Sequence, residues 1–84
     1  MIKIIKIELL DNYLIHIYFD DDTDKVIDIK GFIKVGSINE SLNNVEFFNQ
    51  VKIYDNGRGI YWPNGYDLCP DTLRYYTEPV KEPA

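Results

Sequence analysis

The chain of 84 residues is 45% hydrophobic, 27% charged and 14% aromatic, with a formal net charge of −5. That is the composition of one small folded domain rather than a disordered chain or two domains, and a chain this short buries only about 60% of its unfolded surface, so its stability is modest. Basic and acidic side chains number 5 and 8 in residues 1–42, and 4 and 6 in residues 43–84. Both halves therefore repel polyanions, and direct nucleic-acid binding, which relies on clustered Lys and Arg, is not expected. No segment approaches the ~20 apolar residues that span a bilayer. Met1–Lys6 is interrupted by lysines and lacks the apolar core and cleavage site of a signal peptide. The single cysteine, Cys69, allows no intramolecular disulfide, which suits a reducing cytoplasm.

Apolar Ile5, Ile7 and Leu9 alternate with Lys6 and Glu8, which predicts a first strand with one wet face. A second strand follows, with Tyr13, Ile15, Ile17 and Phe19 inward and Leu14, His16 and Tyr18 on the other side. A third covers Lys25 to Ile29. A three-residue loop at Asp20-Asp21-Asp22, its last residue left-handed, pairs Phe19 with Thr23, Ile15 with Ile27 and Tyr13 with Ile29. A two-residue loop would set Ile15 against Asp28 and is rejected. Residues 30–50 lose the alternation: Gly31, Gly36 and Ser37 mark a loop, Phe32, Ile33, Ile38 and Leu42 cover one end of the sheet, and Asn44 caps a short helix over Val45 to Gln50.

Val51–Asp55, Asn56-Gly57 and Arg58–Trp62 read as a hairpin on a type I′ turn, with Asp55 opposite Arg58, Ile53 opposite Ile60 and Val51 opposite Trp62. Pro63-Asn64-Gly65 turns the chain again, and Cys69-Pro70-Asp71 opens a last helix with Pro70 at its first position and Asp71 at its positive dipole end. The expected architecture is α+β: a mainly antiparallel sheet of about five strands with one short and one C-terminal helix, in the order β-β-β-α-β-β-α. Residues 1–76 form the single domain and 77–84 a flexible C-terminal tail.

The turn Phe19-Asp20-Asp21-Asp22-Thr23, and above all the run Trp62-Pro63-Asn64-Gly65-Tyr66-Asp67-Leu68-Cys69-Pro70-Asp71-Thr72-Leu73, resemble the bacterial family called domain of unknown function 2442, over roughly residues 4–75. Members of that family often carry Gly at the position of Asp22, which fits a left-handed residue there. They often carry Pro at the position of Val45, which fits Asn44 as a cap, and Asp or Ser at that of Cys69, so that this cysteine departs from the usual cap chemistry. Genes of the family frequently sit beside a second small family, domain of unknown function 4160, in an arrangement similar to a toxin–antitoxin pair, and some members are fused to helix-turn-helix domains. The resemblance implies an antitoxin-like or accessory partner protein. With only about ten residues after the motif, the DNA-binding half of such an antitoxin is expected to be missing or supplied by another chain.

The acidic run Asp20, Asp21, Asp22, Asp24 does not fit a calcium loop, because Lys25 and Gly31 fall where Gly and a bidentate Glu are required; it reads as a solvated hairpin tip. One histidine, His16, and one cysteine cannot assemble a zinc set. A His16–Cys69 nucleophilic pair is set against an outward histidine and a small buried or capping cysteine. Tyr18, Lys52, Tyr54 and Tyr61 fall on an outer sheet face and form the candidate partner surface, unless the last helix covers it with Leu73 and Tyr76. Trp62, Pro63, Asn64, Gly65, Asp67 and Asp71 are structural first. The expected function is non-enzymatic protein binding, with no cofactor and no metal. The alternative is a small-molecule or enzymatic cleft near Asn64, Asp67 and Arg58. A homo-oligomer joined through an edge strand at Ile2 to Leu9 is a third reading.

Overall fold

The computed structural model describes residues 2–33, 36 and 38–76; the expected tail, 77–84, lies outside them. Three strands, β1 (Ile4–Leu9), β2 (Leu14–Phe19) and β3 (Asp24–Asp28), form an antiparallel sheet in that order. Two 3₁₀ turns, Ile29–Phe32 and Ile38–Asn43, lead to helix α1 (Val45–Phe48). A second antiparallel sheet follows, of β4 (Lys52–Ile53), β5 (Ile60–Tyr61) and β6 (Asp67–Leu68), and helix α2 (Pro70–Tyr75) closes the domain. The class is α+β, but the single sheet of about five strands is corrected to two sheets of three. Asp67–Leu68 supplies a strand too short for any periodicity to reveal. β1 runs beside β4, yet among the described residues a single backbone bond joins β1 to the second hairpin, from Ile4 N–H to Gly57 C=O at 2.8 Å.

The register of β2 on β3 follows the pairing read from the loop: Ile15 faces Ile27, Phe19 N–H donates to Thr23 C=O at 2.9 Å, and Ile29 N–H donates to Tyr13 C=O at 3.0 Å. Asp22 is left-handed, with φ 66°. In β1 the alternation holds only in part. Ile4 pairs with Phe19 and Lys6 with Tyr18, so Ile5 is the extra residue of a bulge. The bulge switches the phase of the strand: Ile4 is buried, while Ile5, expected inside, stands 64% exposed. Tyr13 is also displaced, from the strand into the turn before it, where Asn12 (φ 61°) and Tyr13 (φ 66°) are both left-handed. Its ring still points inward, edge-on to Phe48 at 4.9 Å, and its hydroxyl donates to Asn43 C=O at 2.6 Å.

Asn44 caps α1 as its type requires, its Oδ1 accepting from Glu46 N–H at 2.9 Å and Phe47 N–H at 3.3 Å. Phe48 at the end of that helix is buried, and its carbonyl accepts the indole N–H of Trp62 at 3.0 Å. Around this pair pack Ile4, Ile15, Ile17, Phe19, Ile27, Ile29, Leu42, Ile60 and Leu73, drawn from both sheets and both helices.

The second hairpin keeps Ile53 opposite Ile60 but not the expected type I′ turn. Gly57 is left-handed (φ 73°) and Asn56 is not; Gly57 N–H donates to Tyr54 C=O at 2.8 Å, and Asn56 Oδ1 accepts from Arg58 N–H at 3.0 Å. A short side chain that closes its own turn removes the need for two left-handed residues. Among the described residues Asp55 and Arg58 form no ion pair. At Gly59 (φ 146°) a Cβ would stand 2.6 Å from Leu68 C=O. Gly59→Ala is expected to cost about 3 kcal/mol, against about 1 kcal/mol for Gly65→Ala, where the φ of 90° is unfavourable but space is open. Urea midpoints of the two variants check this, and equal losses would refute it. Trp62→Phe, which removes the bond to Phe48 C=O, is expected to cost about 1–3 kcal/mol by the same measurement.

Candidate functional site

Lys52, Tyr54 and Tyr61 share the outer face of the second sheet. Lys52 and Tyr61 are cross-strand neighbours, opposite in phase to the inward Ile53 and Ile60. The rings of Tyr54 and Tyr61 stack at 4.4 Å with an interplanar angle of 19°. Asp67, paired with Tyr61 on β6, accepts the hydroxyl of Tyr54 at 2.8 Å. That bond holds the Tyr54 hydroxyl above the ordinary tyrosine pKa, because ionisation would place a second negative charge against the carboxylate. Helix α2 does not cover this face. Its Leu73 is buried in the core, and its end is tied to the first sheet, where Lys25 Nζ donates to the carbonyls of Arg74 and Tyr76, and Arg74 donates to Asp21 at 3.2 Å. Tyr54 remains 37% exposed.

Tyr18, grouped with these residues from phase alone, belongs to the other sheet. It lies within a chain of polar contacts across the outer face of β1, β2 and β3. The Tyr18 hydroxyl donates to Glu8 at 2.6 Å and lies 3.2 Å from His16 Nδ1, and His16 Nε2 meets Asp24 at 2.6 Å. The His16 ring stacks on Tyr18 at 4.3 Å, and Lys6 sits 5.2 Å from the centre of the same tyrosine ring and 3.6 Å from Glu8. The bond from Tyr18, with the charge of Lys6 added, holds Glu8 below its ordinary pKa, and the same bond holds Tyr18 above its own. Alternation puts Lys6 and Glu8 on the wet side of β1 and His16 and Tyr18 on the outward side of β2, while Asp24, expected in the hairpin tip, joins them as the first residue of β3; their contacts depend on the cross-strand register, in which Lys6 faces Tyr18, Glu8 faces His16 and Tyr18 faces Asp24. His16 is therefore engaged with carboxylate and phenol, and is not brought to Cys69.

Trp62, Pro63, Asn64 and Gly65 build the turn between β5 and β6. Gly65 N–H donates to Trp62 C=O at 3.0 Å, Trp62 N–H to Tyr66 C=O at 2.9 Å, and Tyr66 N–H to Asn64 Oδ1 at 3.0 Å. Asp71 stands in the first turn of α2, behind Pro70. The run that carries the resemblance thus fixes a buried tryptophan, a hairpin and a helix start.

The family model described as a protein of unknown function (DUF2442) matches residues 4–79. The chain belongs to that family. No curated protein and no solved structure matches it.

In this DUF2442 domain the remaining candidates have structural partners. Asp20 accepts Lys3 N–H at 2.9 Å, and Asp21 accepts both the hydroxyl and the N–H of Thr23 besides Arg74. Among the described residues no three His, Cys, Asp or Glu side chains converge as a metal site requires. Cys69, expected to be buried or capping, is exposed and occupies the N-cap position without a side-chain cap bond. Its thiol instead lies 2.9 Å from Thr72 Oγ1, a contact that lowers its pKa. Asn64, Asp67 and Arg58 do not line the described cavity, which lies between the β1–β2 turn and α1.

The shifted groups set a pH dependence. Glu8 and Asp21 titrate lower in the folded chain, Asp21 chiefly through Thr23, so the stability they contribute is present above their unfolded values, near 4.5 and 3.8, and is lost as pH falls through the folded ones. Tyr18 and Tyr54 titrate higher, so theirs is present below pH 10.0 and is lost as pH rises through the folded values. Unfolding free energy measured against pH is expected to fall below about pH 5 and again above about pH 10, while the lowered Cys69 thiol adds stability that is present above 9.0 and lost as pH falls through its folded value. In Tyr18→Phe the Glu8 carboxyl, followed by NMR, is expected to titrate closer to 4.5; no change would show that Tyr18 does not hold it.

Proposed function

We propose that this chain is a non-enzymatic protein-binding domain acting in the cytoplasm as the antitoxin-like partner of a small neighbouring protein, of the family called domain of unknown function 4160. The observation that carries the reading is the uncovered, stacked Tyr54–Tyr61 pair with Lys52 beside it. Stacking and the bond to Asp67 already restrict the Tyr54 side chain, so little rotamer freedom is left to lose on association. Tyrosines of this kind are enriched among the residues that dominate interface energies. The net charge of −5 favours a basic partner and speeds encounter with it.

A cleft at Asn64, Asp67 and Arg58 has weaker support, because Asn64 closes its own turn and Asp67 is engaged by Tyr54. Self-association through β1 is disfavoured by the neighbouring β4 and by the bulge at Ile5, a device that blunts strand edges.

Co-expression with the neighbouring gene product is the test. A complex is expected, together with relief of the growth inhibition caused by that product. Tyr54→Ala combined with Tyr61→Ala is expected to weaken the complex by about thirtyfold, the scale of a ~2 kcal/mol interface anchor. No complex and no relief would overturn the proposal.

A further inference from the structure

A cavity of about 210 Å³ opens between the β1–β2 turn and α1, with Leu10, Tyr13, Val45 and Phe48 as its apolar lining and Asp11 and Asn49 among its polar groups. It shares no residue with the Tyr54–Tyr61 face. The volume decides the class of occupant. Pockets for cofactors and metabolites run to roughly 300–1,000 Å³, whereas an apolar cavity of about 150 Å³ accepts a single benzene ring. This one takes one large apolar side chain and little more.

Two lining residues leave apolar surface to solvent: Val45 is 55% exposed and Leu10 41%. Asp11 is the charged residue of the lining, and among the described residues its carboxylate has neither a hydrogen bond nor an ion pair. The wall is also held in an unfavourable conformation. Tyr13 has a φ of 66°, which costs a residue with a Cβ and a bulky ring more than it costs Asn12 beside it. The edge contact with Phe48 and the hydroxyl bond to Asn43 C=O keep the ring there. Strain of this kind concentrates where a binding surface is preformed.

We infer that this cavity is an anchor site for a protein partner, receiving one phenylalanine or leucine side chain while a neighbouring lysine or arginine of the same partner pairs with Asp11. The inference rests on the protein-binding reading but uses a different surface, so each can fail alone. The apolar lining supplies burial for the anchor, and the unpaired carboxylate at the rim selects a basic flank over an acidic one.

The test is NMR titration of the whole chain with three blocked tripeptides: Arg-Phe-Lys, Glu-Phe-Glu and Arg-Gly-Lys. Arg-Phe-Lys at millimolar concentration is expected to shift amides of residues 10–13 and 45–49, while Arg-Gly-Lys shifts none of them. Glu-Phe-Glu is expected to bind about two- to fivefold more weakly, the scale of an exposed ion pair, and Asp11→Asn should reduce that difference more than Asp55→Asn, which removes the same charge away from the cavity. Val45→Arg, at an exposed position, should reduce Arg-Phe-Lys binding at least tenfold with the remaining amides unchanged. Tyr54→Ala should leave it unaltered. No shift at these amides, equal response to Arg-Phe-Lys and Arg-Gly-Lys, or no preference between Arg-Phe-Lys and Glu-Phe-Glu would overturn the inference.

Discussion

The bond from the Trp62 indole to the carbonyl of Phe48 holds the two halves of this fold together. A buried indole needs an acceptor, and the end of a four-residue helix has carbonyls to offer. The bond couples the end of α1 to the end of β5, and Phe48 in turn meets the ring of Tyr13 from the first hairpin. One aromatic group therefore touches segments contributed by β1–β2, α1 and β5–β6. Neither sheet has a core of its own: the first lacks an opposing layer, and the second has only two residues in each strand.

With the interior committed to that cluster, the outer faces carry polar and aromatic side chains, with Val26 exposed beside His16 on the first, and each sheet arranges them differently. On the first, Glu8, Tyr18, His16 and Asp24 satisfy one another in sequence, so its polar groups are internally paired. On the second, the Tyr54 hydroxyl is satisfied by Asp67, but the stacked rings keep exposed apolar surface. This difference separates polar groups that satisfy one another from rings left open to solvent. It arises from where α2 goes: Lys25 and Arg74 fasten its end to the first sheet, and six residues are too few to reach across the second as well.

Much of this was legible in the chain because the determinants are local. The left-handed Asp22, the register of β2 on β3, the Asn44 cap, Ile53 opposite Ile60 and Pro70 opening α2 each follow from a residue's own backbone preference combined with period-2 burial. The placement of Lys52, Tyr54 and Tyr61 on one face is legible for the same reason. Alternation ceases to decide once a strand is bulged or two residues long. Ile5 therefore stands on the opposite side from the one its alternation predicts, and β6 leaves no periodic signal.

Sequence by itself determined the α+β class, the hairpins and the family run from Trp62 to Leu73, since turn chemistry and side-chain period act within a few residues of each other. Tertiary structure alone decided that there are two sheets, that Tyr18 stands apart from Tyr54 and Tyr61, that Asp21 receives Arg74, and that a cavity opens beside Tyr13. Each of these depends on contacts between residues tens of positions apart. Such contacts are settled by which apolar groups reach the shared core around Trp62, and no local pattern in the chain encodes that choice.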